Sequence, residues 1–569
     1  MTMKATINIY QVFTRLFRND VSNNVKWGSI KENGVSKFND FDDNALNAIV
    51  DLGFTHVWYT GVIRHATCTN YERNGINANT PSIVKGVAGS PYAIVDYYDV
   101  DPDLSVDVDN RMVEFEALVQ RTHDKGLKFI IDFVPNHVAR EYKSLQKPLN
   151  VKDLGEGDDT SHHFHPQNNF YYYPWQDLHQ PDGIHFPYTF NTRTYHESPA
   201  KVTGNDAFTT KPSINDWYET VKLNYGVDYS GGRAVHFYPT PSTWIKMKDI
   251  LLFWAAKGVD AFRCDMAEMV PVEFWEWAVK EVKKNYPSIL FIAEVYNPCE
   301  YYNYLKKGGF DYLYDKVGLY DLLRSIIEEQ ASASSISNFW KSREGIHLNM
   351  LRFLENHDEQ RIASLQFAND AWAGIPGMVV SATMHNCPLM VYFGQEIGEK
   401  AGDEEGFSGI DGRTTIFDYW SVLEYQKWVN KGRFDGAHLS DQQRELQSIY
   451  RKLLKARLEF EAFRDGEFYD IMYANESGLV NTDKIYAYLR YTKKQTILVV
   501  NNFDRQNGYR FKLVIPKHAV ESLEISLGKK VISTDYLEGQ VIINTTIERA
   551  SGSGIDMEIK PKSSLIFVF

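Results

Sequence analysis

Amphipathic stretches that end at a glycine and continue into a short apolar run recur along the first half of the chain. Three such helix–strand pairs lie at 43–52 and 55–60, at 110–125 and 127–134, and at 244–257 and 259–264. A glycine after the last helical residue accepts a positive φ without a Cβ clash, so it is a typical helix stop. Apolar strands that follow helices indicate parallel strands covered by helices. The pattern predicts a closed barrel or a doubly wound sheet, and it does not separate the two.

Residues 138–225 interrupt this rhythm with a stretch rich in Pro, Gly, His and Asn. A structureless loop of this length is uncommon inside a compact domain, so we predict an inserted subdomain. Its aromatic cluster at 170–175 would form either a hydrophobic core or a platform for sugar rings. We favour the core.

Helical periodicity returns at 244 and continues to about 460. The last helix is predicted to begin at Ser440, because Ser440 and Gln443 have the spacing of a capping box. From about 466 the sequence changes to short alternating strands, which indicate a separate antiparallel β domain.

Charge and composition exclude several classes of function. The 569 residues carry a net charge of −13, which argues against a nucleic-acid partner. No apolar run is long enough to span a membrane, and no apolar signal region precedes the first strand. The four cysteines are scattered without metal-ligand spacing. We therefore expect a cytoplasmic protein, with a trimmed secreted or periplasmic form as the alternative.

Charged and imidazole side chains stand at the ends of four apolar strands, at 129–137, 258–265, 290–294 and 353–358. In parallel barrels the carboxyl ends of the strands are where active sites are built. A single Asp at a strand end is more often a helix cap or part of an ion pair. The four segments together favour an active site.

Arg263 and Asp265 are two residues apart on a predicted strand, so their side chains share a face. We expect the guanidinium to hold the pKa of Asp265 down. Glu294 ends an apolar run, and a less polar setting would keep its carboxyl protonated near neutrality. Two carboxylates in different environments suit a nucleophile and acid pair, which retaining glycosidases hold about 5–5.5 Å apart. The alternative is an Arg–Asp ion pair with an unrelated Glu.

Six short motifs follow one another in a fixed order. They are Pro91-Tyr92 with Asp96-Tyr97-Tyr98, then Asp132–His137, Phe262–Asp265, Ala293–Val295, Glu355–Asp358 and Pro388–Glu396. In their residues and in their order along the chain, they resemble the motifs of the α-amylase family of glycoside hydrolases, over roughly residues 7–460. The resemblance implies a (β/α)8 barrel at 1–137 and 226–465, an inserted subdomain at 138–225 after the third strand, and a C-terminal antiparallel β-sandwich at 466–569.

The resemblance also implies a role for each motif residue. Asp265 would be the nucleophile, Glu294 the general acid/base and Asp358 the carboxylate that stabilises the transition state. Substrate contacts would come from Tyr92, which stacks on the sugar, from His137 and His357, which donate hydrogen bonds, and from Arg263, which orients the nucleophile.

The reaction implied is hydrolysis of α-1,4-glucosidic bonds in starch, glycogen or maltodextrins, by a monomer with an α-glucan as its partner. Two alternatives stay open. One is a transglycosylase or isomerase of the same family, which would use the same covalent intermediate. The other is a barrel that has lost catalysis and serves as a binding subunit, which the presence of all three carboxylates disfavours.

One motif departs from the family pattern. Endo-acting members carry Lys-His beyond the nucleophile, where this chain has Glu268 and Met269. The change puts the leaving-group preference and the family's structural calcium in doubt. The fifth region, Val221–Asn224, is a partial match. We therefore predict no required cofactor, no metal-binding residues and no strong dependence on calcium, although Asn136 and the Met269 carbonyl leave a weakened calcium site open.

Overall fold

Eight parallel strands form the central sheet of the protein. The computed structural model describes residues 5–184, 194–476, 478, 480–522 and 526–569. The strands are β1 (Asn8–Phe13), β2 (His56–Thr60), β3 (Lys128–Phe133), β4 (Ala261–Cys264), β5 (Leu290–Ala293), β6 (Tyr312–Tyr314), β7 (Met350–Leu351) and β8 (Leu389–Tyr392).

The sheet closes into a barrel. Its strand order is β7-β6-β5-β4-β3-β2-β1-β8, with every neighbouring pair parallel. A parallel bridge between Arg352 and Leu389 joins the two ends, and the Met390 N–H donates to the Arg352 carbonyl at 2.8 Å. The central sheet is therefore a (β/α)8 barrel and not a doubly wound sheet, and the predicted fold class is confirmed.

Helices cover the barrel, and those predicted at 43–52, 110–125, 244–257 and from Ser440 are all present. The longer ones are Asp43–Leu52, Arg111–Asp124, Ser242–Ala256, Val272–Asn285, Ile375–Thr383 and Asp441–Glu459, and the shorter ones are Ile30–Asn33, Tyr301–Lys306, Asp321–Ile327, Ser335–Ser342, Leu423–Val429 and Glu461–Arg464. Gly53 ends the first long helix with φ +100°, as expected of a left-handed stop. The capping box of Ser440 and Gln443 is present at the start of the last long helix.

Side chains inside the barrel change from apolar to polar along β1 to β5. The apolar set comprises Ile9, Trp58, Ile130, Ala261 and Ile292, which belong to one larger cluster of buried apolar residues. Two residues further along the same strands stand Gln11, Thr60, Asp132, Arg263 and Glu294. Because strand side chains alternate between faces, this second set also points inward. The polar layer therefore lies at the carboxyl ends of the strands, and the apolar layer lies next to it, further inside the barrel.

The segment after β3 contains short strand pairs. His137–Ala139 pairs with Thr220–Lys222, Tyr172–Tyr173 with Ala200–Lys201, and Val227–Asp228 with Ala234–Val235. Ile63–His65 and Ile94–Val100 form a further antiparallel pair after β2. Within the aromatic cluster at 170–175, Phe170, Tyr171 and Tyr172 are buried, as the core interpretation predicts, whereas Trp175 is 89% exposed.

The C-terminal region is antiparallel. Its main sheet has the order Glu467–Asp470, Ile485–Tyr491, Thr496–Asn502 and Ser563–Val568, and two further pairs join Tyr509–Leu513 to Ile555–Ile559 and Lys530–Thr534 to Ile542–Thr546. Two short helices, Lys517–Ser522 and Ile547–Gly552, were not predicted. Within the described ranges, every helix is too short or too polar to cross a membrane.

Candidate active site

A cavity of about 430 Å³ is lined by the side chains that the motifs singled out. Asp265, Glu294, Asp358, Tyr92 and His137 all contribute to its wall. The two remaining predicted residues lie directly behind this wall: Arg263 is in contact with Asp265, and His357 is in contact with Tyr92 and Asp358. The fold therefore brings all seven predicted residues together.

Strand register places the two central carboxylates side by side. Asp265 follows β4 and Glu294 follows β5, and the last residues of these strands, Cys264 and Ala293, are paired. Met266 then adopts a left-handed conformation with φ 42°. Its backbone N–H donates to Glu294 Oε2 at 2.8 Å. The turn after the first carboxylate thus helps to hold the second.

Arg263 is shared among three carboxylates. Its Nη1 lies 2.8 Å from Asp265 Oδ1 and 3.3 Å from Asp132 Oδ1, while its Nη2 lies 2.7 Å from Glu294 Oε2. The side chain is 1% exposed. One buried guanidinium therefore fixes the mutual positions of three acidic groups.

The prediction of a low pKa for Asp265 is wrong, although Arg263 does act in the predicted direction. Burial raises the pKa of Asp265 well above its usual range, and the charges of Glu294 and Asp132 raise it further against the lowering effect of Arg263. The physical reason is that one cation cannot neutralise three carboxylates that are all withdrawn from water.

The less polar setting predicted for Glu294 is also wrong. Its Oε2 is held by Arg263 and by the Met266 N–H, and its Oε1 accepts a hydrogen bond from the Tyr296 hydroxyl. Tyr296 lines the cavity as well. Sequence reasoning missed this residue, although its position two residues after Glu294 could have drawn attention to it.

Asp358 has a different environment. Its Oδ2 lies 3.0 Å from His357 Nε2, and its backbone N–H donates to Asn356 Oδ1 at 2.8 Å. Burial alone would raise the pKa of Asp358, but His357, Arg263 and Arg413 outweigh burial and hold that pKa below its usual value. The pKa values of Asp358 and Asp265 are therefore shifted in opposite directions.

His357 and Tyr92 form a stacked pair beside these carboxylates. Their rings lie 5.3 Å apart with an interplanar angle of 24°, and Tyr92 Oη lies 2.5 Å from His357 Nε2. The other ring nitrogen of His357 is 2.8 Å from Gln11 Nε2. Gln11 was also missed from the sequence, where a polar residue within the apolar strand β1 was the available signal.

His137 lines the cavity beside Trp217, whose ring centroid is 5.1 Å from that of His137. Burial, followed by the charges of Lys222 and Lys85, lowers the pKa of His137 to about 3. The ring is therefore neutral near pH 7. With Asn136 Nδ2 3.2 Å from its Nδ1, the tautomer that fits carries its proton on Nε2. The ring also interacts with the Tyr92 backbone carbonyl.

The residues at the implied calcium position do not fit a divalent cation. Asn136 Oδ1 accepts a hydrogen bond from Lys222 Nζ at 2.8 Å, and the same ammonium forms an ion pair with Asp206. The Lys222 side chain is 2% exposed, so its charge would repel a second cation there. In the described part of the chain, no three His, Cys, Asp or Glu side chains are grouped as metal ligands.

Glu268, which replaces the family's Lys, lies outside the cavity wall. Its Oε2 accepts a hydrogen bond from the Asn297 backbone N–H at 3.0 Å. The carboxylate therefore joins the loop after β4 to the loop after β5 and makes a structural contact.

Comparison with known proteins agrees with this geometry. Alpha-amylase 3 of Dictyoglomus thermophilum is 25% identical over 455 residues, which cover 75% of this chain and 77% of that protein. An alpha-1,4-glucan:maltose-1-phosphate maltosyltransferase of Cereibacter sphaeroides is 26% identical over 322 residues, which cover 54% of this chain and 38% of that protein. The crystal structure of a noncanonic maltogenic alpha-amylase from Thermotoga neapolitana has a similar fold, with a TM-score of 0.62 at 20% identity, covering 99% of this chain and 98% of that chain.

A family model of the alpha-amylase catalytic domain matches residues 11–466, most of the chain. The match begins within β1, includes β2 to β8 and covers all seven predicted site residues. The chain therefore belongs to the α-amylase family, whose enzymes act on α-glucans as glycosidases and transglycosylases.

Proposed function

We propose that this chain is a retaining glycoside hydrolase that cleaves α-1,4-glucosidic bonds in starch, glycogen or maltodextrins. The observation that carries the proposal is the single guanidinium of Arg263, which contacts Asp265 at 2.8 Å and Glu294 at 2.7 Å. Retaining glycosidases hold their two carboxyl groups about 5–5.5 Å apart, and inverting ones about 6.5–9.5 Å. Two carboxylates that share one guanidinium favour the shorter separation.

In the first step Asp265 attacks the anomeric carbon, and a bond forms between its carboxylate oxygen and that carbon. The glycosidic C–O bond breaks, and its electron pair stays with the leaving oxygen, which takes a proton from Glu294. In the second step Glu294 removes a proton from water, and the resulting nucleophile displaces Asp265 as a carboxylate.

Asp358 supports the oxocarbenium-like transition state of both steps. Its pKa is held below the usual value, so it stays charged across the working pH range. A charged carboxylate can bind the sugar hydroxyls more tightly as the ring flattens. Because this contact is stronger in the transition state than in the bound substrate, it lowers the activation barrier. Neutral His137 and the stacked pair of Tyr92 and His357 would hold the same sugar.

The walls of the cavity fit an α-glucan. Trp217, Phe407 and Phe417 supply aromatic faces, and Tyr296 adds a hydroxyl beside Glu294. Sugar rings have apolar faces and polar edges, so ring surfaces with a few hydrogen-bonding groups suit them.

The second candidate is transglycosylation, or isomerisation by the same route, through the same covalent intermediate. It is favoured by the similarity to the Cereibacter sphaeroides maltosyltransferase, which reaches 26% identity. The two reactions share the first step and differ in whether water or another acceptor attacks the glycosyl enzyme.

One experiment tests both candidates. The chain is incubated with maltoheptaose, and separately with pullulan, and products are followed over time by chromatography and by proton NMR of the anomeric signals. Hydrolysis with retention predicts shorter products that appear first as the α-anomer. Initial β-anomer would refute the double displacement. Products longer than maltoheptaose, or a sugar phosphate formed when inorganic phosphate is added, would favour the transferase.

A further inference from the structure

A second cavity of about 390 Å³ lies where the barrel meets the C-terminal sheet. One wall is the helix Ser335–Ser342, and the other is the strand Glu467–Asp470 with the turn that follows it. We call it the junction groove. Of the described residues, none that lines this groove also lines the catalytic cavity.

Aromatic side chains dominate the junction groove. Trp340, Phe468, Tyr469 and Tyr473 all contribute to its surface. Tyr473 is 49% exposed, and the other three rings are half-buried. Flat rings that remain open to water at a junction between two packed elements make a surface for a ligand with apolar faces.

Trp340 is held in one orientation before any ligand binds. Its indole Nε1–H donates to Asp470 Oδ2 at 2.9 Å, and the ring meets Phe468 edge-on at 5.2 Å. Ser337 Oγ donates to the same carboxylate oxygen at 2.6 Å. A ring fixed in this way loses little conformational freedom on binding, which lowers the entropic cost of a complex.

Tyr473 is fixed in a similar way at the open end of the groove. Its hydroxyl lies 2.7 Å from His518 Nε2 and 3.3 Å from the Tyr469 hydroxyl. Exposed polar side chains, Asn338, Lys341 and Glu476, stand around the rim. The junction groove therefore combines the faces of aromatic rings with hydrogen-bond donors and acceptors.

We propose that the junction groove is a second binding site for an α-glucan chain, separate from the catalytic cavity. The chemistry is that of a carbohydrate: apolar sugar faces stack on Trp340 and Tyr473, and sugar hydroxyls bond to the polar rim. The proposal rests on the proposed function, because it assumes that the substrate is an α-glucan. On a polymer, a second contact raises the local concentration of substrate at the catalytic cavity. On a short oligosaccharide it has no such effect.

The test uses the full chain in two backgrounds. Asp265→Asn allows binding without turnover, and the active chain reports rates. Tyr473→Ala and Trp340→Ala are made in both, with Ile532→Ala as the matched control, because Ile532 is an exposed apolar residue elsewhere in the C-terminal region. Thermal unfolding of each variant is measured first, and Tyr473→Ala, which removes an exposed ring, carries the conclusion if Trp340→Ala does not fold.

Two measurements follow: retardation in a native gel that contains amylopectin, and rates on granular starch and maltotriose. We expect Tyr473→Ala to weaken retardation at least fivefold and to slow starch cleavage by a similar factor. Its kcat/KM on maltotriose should stay within twofold of the parent, and Ile532→Ala should change none of these values.

Three results would overturn the groove site. They are retardation by Tyr473→Ala equal to that of Ile532→Ala, a parallel loss of the maltotriose rate, or no retardation of the parent chain. The proposed function fails separately, if the parent chain cleaves neither starch nor maltotriose.

Discussion

Replacing Arg263 by Met tests the shared cation at the centre of the site. The substitution removes the positive charge while keeping an unbranched apolar side chain. It leaves Asp132, Asp265 and Glu294, whose side chains are buried, without the guanidinium that now contacts all three. Removing one partner of a buried ion pair typically costs about 3–5 kcal/mol, because the remaining charge is uncompensated.

The loss of stability should depend on pH. The pKa of Asp265 is already raised in the folded chain, and removing Arg263 takes away a cause that lowers it. An acid with a raised folded pKa binds its proton more tightly when folded, so stability falls as pH rises from the ordinary value of about 3.9 toward the folded pKa. The stability deficit of Arg263→Met relative to the parent should therefore be smaller at acidic pH and grow as pH rises.

Activity should respond in the same direction. The nucleophile must be ionised, so the acid limb of kcat/KM against pH should move to higher pH in Arg263→Met. We expect kcat/KM at pH 7 to fall by at least about 10³, or roughly 4 kcal/mol of transition-state stabilisation. The assays are thermal unfolding at three pH values and the pH profile of maltotriose cleavage.

The matched control is Arg361→Met. Arg361 is equally buried and pairs with Glu355 at 2.9 Å, but it does not contact Asp265 or Glu294. Arg361→Met should lower the stability of the fold but leave the acid limb of the kcat/KM profile unchanged. The shared-cation argument would be refuted if Arg263→Met lost the same stability at pH 5 and pH 8, or kept more than a tenth of the parent kcat/KM.

Four further predictions concern the site and its surroundings. Asp265→Asn and Glu294→Gln should each abolish turnover on maltoheptaose with unchanged circular dichroism, and more than about a tenth of the parent kcat, barely 1.4 kcal/mol, would remove the residue from its proposed role. Tyr296→Phe should lower kcat by less than tenfold, because Glu294 loses the hydrogen bond from the Tyr296 hydroxyl; an unchanged kcat would show that the hydroxyl does not act on Glu294. Lys222→Met should lower the unfolding midpoint by a few degrees, since Asn136 loses its buried partner. The parent midpoint should be the same in EDTA and in millimolar calcium, and a shift above about 4 °C would reveal a calcium site.

Some features of this protein follow from short stretches of sequence. The helix that ends at Gly53 and the helix that begins at Ser440 are set by local rules, a positive φ and a capping box, and both occur as predicted. The placement of Asp265 and Glu294 directly after apolar strands is also local, because a strand of alternating side chains decides which residues point inward. Polar residues at the carboxyl ends of parallel strands then indicate one shared site.

Other features were decided only when distant segments came together. The bridge between Arg352 and Leu389 closes the barrel, and no local pattern distinguishes a closed sheet from an open one. Gln11 lies against His357, which is 346 residues away, and Lys222 reaches Asn136 across 86 residues. Such contacts depend on which strand ends become neighbours after closure.

The electrostatics of the site depended most on tertiary structure. Alternation along a strand is enough to place Arg263 and Asp265 on one face, and that pair considered alone implies a lowered pKa for Asp265. In the folded chain Arg263 also forms ion pairs with Glu294 and Asp132, and burial raises the pKa of Asp265 instead. The physical reason is that a pKa is set by the total of burial and all nearby charges, which only the closed barrel brings within reach of one another.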